Sequence, residues 1–194
     1  MMETKKVDRR VKYTIEMLKN ALVEAMQKEH ISKISVKSLC ELADINRSTF
    51  YAHFHDQYDL LHYIEQEVLG NITKQLERQD FSGKGPISFQ VLNLILEYVQ
   101  QNAPLFNALL SDNCEPGIQR EIMKLPDIIS AQIYENLDER ARDYLSVFGV
   151  TGCISILQKW LQDGMPESTK QISGLILQIL YHGVADFKWE RHEA

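Results

Sequence analysis

Apolar residues recur at intervals of three and four along this chain, and no stretch of alternating β-branched residues interrupts them. That spacing gathers side chains on one side of a helix with 3.6 residues per turn. The reading is an all-α fold. From Val11 to Glu29 the stripe is Val11, Ile15, Leu18, Leu22, Ala25 and Met26. His30 to Lys33 reads as a connector. A shorter helix, Val36 to Ala43, turns Val36, Leu39, Cys40 and Ala43 inward, with Ser35 placed to cap it. Asp44-Ile45-Asn46 reads as a tight turn in which Asn46 caps the next helix. That helix, Arg47 to Phe54, carries Phe50 and Phe54 one turn apart on its inner side. Asp56 caps a long helix from about Gln57 to Glu77, with Leu61, Ile64, Val68, Ile72 and Leu76 inward.

Ser82-Gly83-Lys84-Gly85-Pro86 is the clearest break. Beyond it, Phe89, Leu92, Ile95, Leu96 and Val99 mark a helix that fades by Asn102. Pro104 opens a short helix to Leu110, a position where proline is tolerated. The helical stretch that follows ends or kinks at Pro126. Asp138 caps a long helix running to Gly164. Ser168 with Gln171 has the form of a capping box at the start of the last helix.

The stretch Ser35 to Leu61, SVKSLCELADINRSTFYAHFHDQYDLL, has the physics of a helix-turn-helix. Two short helices bury apolar inner faces across a brief turn. The second must expose small or hydrogen-bonding residues at its N-terminal end, because that end enters a major groove about 12 Å wide. Arg47, Ser48 and Thr49 stand there, and Tyr51, Ala52 and His53 follow on the outward side. Net charge is −6, which by itself disfavours nucleic acid, but its distribution is uneven. Residues 1–61 hold ten basic against nine acidic side chains, and the remainder eleven against eighteen. Phosphate contact depends on local potential, since charges more than about 8 Å apart are largely screened.

This segment resembles the DNA-binding domain of TetR/AcrR-family regulators, aligning without a gap over its 27 positions. The resemblance rests on Ser48-Thr49-Phe50-Tyr51-Ala52-His53-Phe54, followed by Asp59-Leu60-Leu61. It implies a three-helix DNA-binding domain over residues 1–57, with a basic N-terminal arm, and a helical regulatory and dimerisation domain over 58–194. By position, Lys37, Arg47, Ser48 and Thr49 would face bases and nearby phosphates, Tyr51 and His53 would contact phosphate, and Asn46 joins this DNA-facing set. The arm from Lys5 to Lys12 would touch backbone or minor groove. Two positions depart from the family pattern. Asp44 stands where glycine is usual, and Asp tolerates a left-handed backbone better than most residues. Gln57 stands where a phosphate-binding lysine is usual.

In the C-terminal half, Phe148-Gly149-x-x-Gly152 leading to Trp160-Leu161-Gln162-Asp163-Gly164-Met165-Pro166 is similar to low-GC Gram-positive members of the family. That group includes the regulator of dihydroxyacetone kinase operons. The similarity implies that the last two long helices pair with their mates in a dimer. Gly149 and Gly152, with Ser155, form a small-residue face beside Ile156, Leu157 and Trp160. The final helix adds Ile172, Leu175, Ile176, Ile179 and Leu180. Tyr98, Phe106 and Tyr134 fall where family members often hold a ligand, although each also suits core packing. Trp160 either fills the core or dimer interface or lines that pocket.

Other chemistry finds little purchase. Cys40, Cys114 and Cys153 form no CxxC pair, and His53 and His55 point to different faces with no third ligand nearby, so no metal and no cofactor are expected. GxSxG, HExxH and phosphate-cradling glycine loops are absent, so the chain reads as no enzyme. It lacks a signal-peptide pattern and any run of about 18 apolar residues, which reads as a cytoplasmic protein without membrane contact. The expected partners are an operator duplex, a second copy of the chain, and a small-molecule effector or a protein co-regulator. Repression is the expected outcome; activation under a protein co-regulator is the alternative.

Overall fold

The computed structural model describes residues 9–77, 88–114, 117 and 139–182, and among these residues every regular element is helical. In chain order they are α1 (Arg9–Met26), a 3-10 turn (Ile31–Lys33), α2 (Val36–Ala43), α3 (Arg47–Tyr51), α4 (Gln57–Glu77), α5 (Phe89–Gln101), α6 (Ala103–Leu109), α7 (Glu139–Gln162) and α8 (Thr169–His182). The chain forms two compact units. The first takes Met1–Asn71 and Pro104–Ile118, the second Ile72–Ala103 and Gln119–Ala194. The first unit thus gathers α1, α2, α3, the first part of α4 and nearly all of α6, extending past the expected boundary after residue 57.

The stripes read above supply much of the core of the first unit: Leu18, Leu22, Leu39 and Phe50 are fully buried, with Met26 and Ile64 almost so. Ile31 of the 3-10 turn and Leu60 of α4, which the stripes did not include, are fully buried with them. At about 25 cal/mol per Å² of apolar surface, each such side chain contributes roughly 1.5–3 kcal/mol toward holding the helices together. Helix α1 packs along α2, and α2 along α3. Lys19 on α1 reaches Glu67 on α4 at 2.8 Å and Glu16 at 2.9 Å. Burial works against the Lys19 charge, yet the two carboxylates outweigh it and hold the ammonium above its usual range.

In the second unit α5 packs on α8, and α7 on α8. Val91, Leu96 and Val99 face inward from α5, Ile154, Trp160 and Leu161 from α7, and Ile172 and Ile176 from α8. The corner between α7 and α8 explains the Trp160–Pro166 motif. The Met165 N–H donates to the Trp160 carbonyl at 2.8 Å and the Gly164 N–H to Leu161 at 3.1 Å, which is a Schellman closure. Gly164 takes the left-handed backbone this requires, at φ 81. The Trp160 indole N–H donates to the Glu167 carbonyl at 3.0 Å and ties the corner shut. Ser168 and Gln171 make the expected capping box at the head of α8.

Candidate nucleic-acid interface

The helix-turn-helix is assembled by local chemistry at each joint. Ser35 accepts from the Ser38 N–H at 3.0 Å and Ser38 accepts from the Ser35 N–H at 3.2 Å, a reciprocal cap on α2. Helix α2 ends as α7 does: the Ile45 N–H donates to the Cys40 carbonyl at 2.9 Å, and Asp44 occupies the left-handed position at φ 54, ψ 46. Asp44 therefore does what glycine does at Gly164, with a Cβ in place. Two readings need correction here, and a third gains detail. Asn46 stands at the N-cap of α3 without a side-chain cap bond. The recognition helix proper is Arg47–Tyr51, and residues 52–54 leave it as a turn in which the Phe54 N–H still bonds the Phe50 carbonyl at 2.9 Å. The 30–33 connector contains the 3-10 turn, with His30 Nδ1 accepting from the Ser32 N–H.

Helix α3 is divided by face. Phe50 is fully buried, while Arg47, Ser48, Tyr51 and Ala52 are exposed and Thr49 is half-buried. The Phe50 ring stands edge-on to Tyr51 and tilted against Phe54, and Phe54 meets Tyr63 edge-on at 5.6 Å. Lys37 and Asn46 are exposed, and His53 is half-buried with its ring 6.4 Å from Phe54. Lys37 lies 3.8 Å from Glu41, a solvent-exposed pair too loose to withhold it from another partner. Burial pushes the Cys40 thiol up, and the nearby Arg47 guanidinium partly counters that. Asp56 accepts from the N–H groups of Tyr58 and Asp59, and Asp59 accepts from the His55 N–H at 3.0 Å, so α4 begins where the sequence placed it. The seven residues expected to face DNA thus lie on α2, α3 and the short segments bordering α3. Residues 5–8 of the arm lie outside the described residues; Arg9, Arg10 and Lys12 are exposed at the start of α1.

Sequence reasoning missed Tyr63, half exposed and braced on Phe54, and the exposed Tyr13 and Leu42. Exposure of single large side chains leaves no trace in periodicity.

In the second unit Trp160, Ile172 and Ile176 are buried within the chain, whereas Gly149, Gly152, Ile156, Leu157, Leu175, Ile179 and Leu180 are half-buried. A Cβ at Gly149 would come within 3.1 Å of Leu180, so this glycine lets α7 approach α8 of its own chain. The large exposed apolar residues of α7 are Tyr144, Val147 and Phe148, with Leu145 beside them. Of the three residues expected near a ligand, Tyr98 is half-buried on α5 and Phe106 is buried on α6, in different units; Tyr134 lies outside the described residues. Among the described residues no cluster of His, Cys, Asp or Glu has the geometry to hold a metal ion, and no helix is long and apolar enough to cross a membrane.

Residues 88–182 match the TetR-type family described as a transcriptional regulator C-terminal region, TetR_C_8. The chain belongs to the TetR family of transcriptional regulators. A curated relative of this TetR-family chain is an uncharacterized HTH-type transcriptional regulator, YxbF, of Bacillus subtilis (strain 168), 19% identical over 167 residues. The match takes in 84% of this chain but 43% of that protein, so the chain spans less than half the length of the curated relative it matches. Among solved structures, a TetR transcriptional regulator from Streptococcus agalactiae 2603V has the same fold, with a TM-score of 0.64 and 22% identity over 90% of this chain and 97% of that one. The dihydroxyacetone kinase operon activator DhaS aligns at a TM-score of 0.55 and 17% identity, covering 86% of this chain and 93% of its own.

Proposed function

We propose that this TetR-family chain is a homodimeric, sequence-specific DNA-binding repressor that leaves a pseudo-palindromic operator when a signal binds its C-terminal region. The observation that carries the reading is the division of α3. Phe50 anchors the helix at 0% exposure while Tyr51, the next residue, is 59% exposed beside Arg47 and Ser48. An arginine at the mouth of such a helix suits bidentate bonding to guanine, and serine, threonine and asparagine suit base edges or phosphate oxygens. Lys37 and the Arg9–Lys12 end of the arm supply phosphate-directed charge.

Two copies would set their recognition helices in successive major grooves, about 34–36 Å apart. The dimer face extends onto Tyr144, Val147 and Phe148, apolar surface that a single chain leaves in water. A signal releases DNA only if it binds the non-DNA-binding arrangement more tightly, so its effect is bounded by that difference in affinity. Selection of bound duplexes from a random library at stated salt tests the reading. An enriched inverted repeat supports it. Recovery of no common sequence, or of a single unrepeated half-site, contradicts it.

A second reading keeps the DNA contact and makes the protein an activator governed by a protein co-regulator. The likeness in fold to a protein named as an operon activator favours it. Transcription in vitro from a promoter bearing the selected operator separates the two by the sign of the response.

A further inference from the structure

Helix α5 of the second unit buries one polar side chain along with its apolar ones. Asn93 is 9% exposed, on the same helix as the buried Val91, Leu96 and Val99. Its amide nitrogen donates to Glu97 Oε1 at 2.7 Å, one turn along α5. Its carbonyl oxygen is buried and accepts from no group among the described residues. An amide turned the other way would set that oxygen against the carboxylate, so the Glu97 contact fixes which atom is left bare. The buried Ser173 of α8 differs, its hydroxyl donating to the Thr169 carbonyl at 2.8 Å. Taking an acceptor out of water without returning a donor is costly, and buried polar groups are nearly always paired. A bare carbonyl held inside a helix face asks for a donor from elsewhere.

Glu97 sharpens what that donor must be. Its side chain is half-buried, and among the described residues it bonds Asn93 and forms no ion pair with a basic side chain. A carboxylate can accept about four hydrogen bonds, so most of its capacity is unused. Phe89 stands one turn before Asn93 and is 43% exposed. Residues 89, 93 and 97 are spaced by four and form one row along α5. The row thus carries an aromatic ring, a bare carbonyl and an uncompensated carboxylate on successive turns. Two oxygens are too few for calcium or magnesium, which take about six ligands or more. An organic cation with N–H groups suits all three positions. Its charge meets Glu97, an N–H reaches the Asn93 carbonyl, and its apolar part lies against Phe89.

We propose that the Asn93–Glu97 pair on α5 binds an organic cation bearing N–H donors, a protonated amine or a guanidinium. The proposal rests on the reading above in which a signal binds the C-terminal region, and it names the chemistry of that signal. A quaternary ammonium carries the charge but no donor, so it leaves the Asn93 carbonyl bare. An anion meets Glu97 with like charge and is rejected. Selectivity among ions that share one alkyl chain therefore reports on each group separately.

The test titrates the full chain with hexylguanidine, hexyltrimethylammonium and hexanoate, following each by ligand-observed NMR. Hexylguanidine should saturate a single site. Hexyltrimethylammonium should bind at least about tenfold more weakly, a charge-assisted hydrogen bond being lost, and hexanoate should not bind. Glu97→Gln keeps the shape without the charge and should weaken hexylguanidine at least about tenfold. Asn93→Leu should weaken it similarly while leaving the melting temperature of the free chain unchanged or higher, because a bare buried oxygen is gone. A residue present for structure alone would lower the melting temperature on replacement and leave hexylguanidine affinity at the wild-type value. That result overturns the site, as do absence of saturable hexylguanidine binding, equal affinity for the two cations, and undiminished affinity in Glu97→Gln. An Asn93→Leu chain that fails to fold overturns it too, since the amide would then belong to the fold's own bonding. Release of the selected operator is measured in parallel. Saturation with hexylguanidine that leaves the operator bound would remove the release reading above while the site itself stands.

Discussion

Phe50 and Tyr51 hold their rings edge-on, with centroids 5.6 Å apart and planes at 85°, one buried completely and the other 59% exposed. Adjacent aromatic residues on a helix point about 100° apart, so one can anchor α3 while the other leaves the surface. The pair separates holding the helix from using it. Phe50→Ala should cost about 3–5 kcal/mol of folding stability by opening a cavity in the core. Tyr51→Ala should leave stability within about 0.5 kcal/mol, as an exposed substitution does, yet weaken operator binding. Denaturant unfolding beside duplex titration reads both; equal stability losses would show that the two rings share one environment.

The Schellman closures after α2 and α7 differ in the residue at the left-handed position, Asp44 in one and Gly164 in the other. A residue with a Cβ pays up to about 1–2 kcal/mol there, less for Asp, whose short side chain tolerates the region. Asp44→Gly should therefore leave the melting temperature unchanged or raise it, while Asp44→Val should lower it clearly. A stabilising Asp44→Val would show that the closure is not what shapes this turn.

Much of this architecture was legible in the sequence because its causes are local. The stripes of α1, α2 and α4, the caps at Ser35, Asp56 and Ser168 and the left-handed Asp44 each depend on residues within a turn or two. Other features depend on distant chain and left no local mark. Nothing near Asn113 announces that it bonds Met26, and nothing near Trp160 tells that its indole closes the α7–α8 corner and leaves it no surface to offer a partner. Gly149 was legible as a site of close approach, but spacing does not say whether the neighbour is Leu180 of the same chain or a second copy. The recognition helix was read three residues too long because Phe54 keeps a helix-like bond to Phe50 after the regular helix ends.

Gln57 opens α4 half-buried, where a lysine would add a phosphate contact. Gln57→Lys should steepen the dependence of log affinity on log salt by about 0.9 per half-site, the contribution of one neutralised phosphate. Titrations at four or more salt concentrations measure the slope. An unchanged slope would place residue 57 away from the backbone of the duplex.

Lys19 carries a pH dependence that its two ion pairs set. Its carboxylate partners Glu67 and Glu16 raise the ammonium above the usual 10.5 against the opposing effect of burial. A raised value means the folded state holds its proton longer than the unfolded chain does. The stabilisation is therefore complete below pH 10.5 and is lost as pH rises through the higher folded value. The stability difference between wild type and Lys19→Met should be flat through neutral pH and shrink as pH rises through that alkaline window. A difference that shrinks on acidification to pH 7 would assign the effect to another group.

In the proposed complex the leading edge of α3 and the start of α2 touch DNA, and affinity for the selected operator at fixed salt measures that contact. Lys37→Ala combined with Arg47→Ala should weaken binding by at least about 100-fold, one base-reading contact and one phosphate contact being lost together, with the melting temperature unchanged because both side chains are solvent-exposed. Undiminished affinity in a folded double variant would contradict the placement of DNA against these helices.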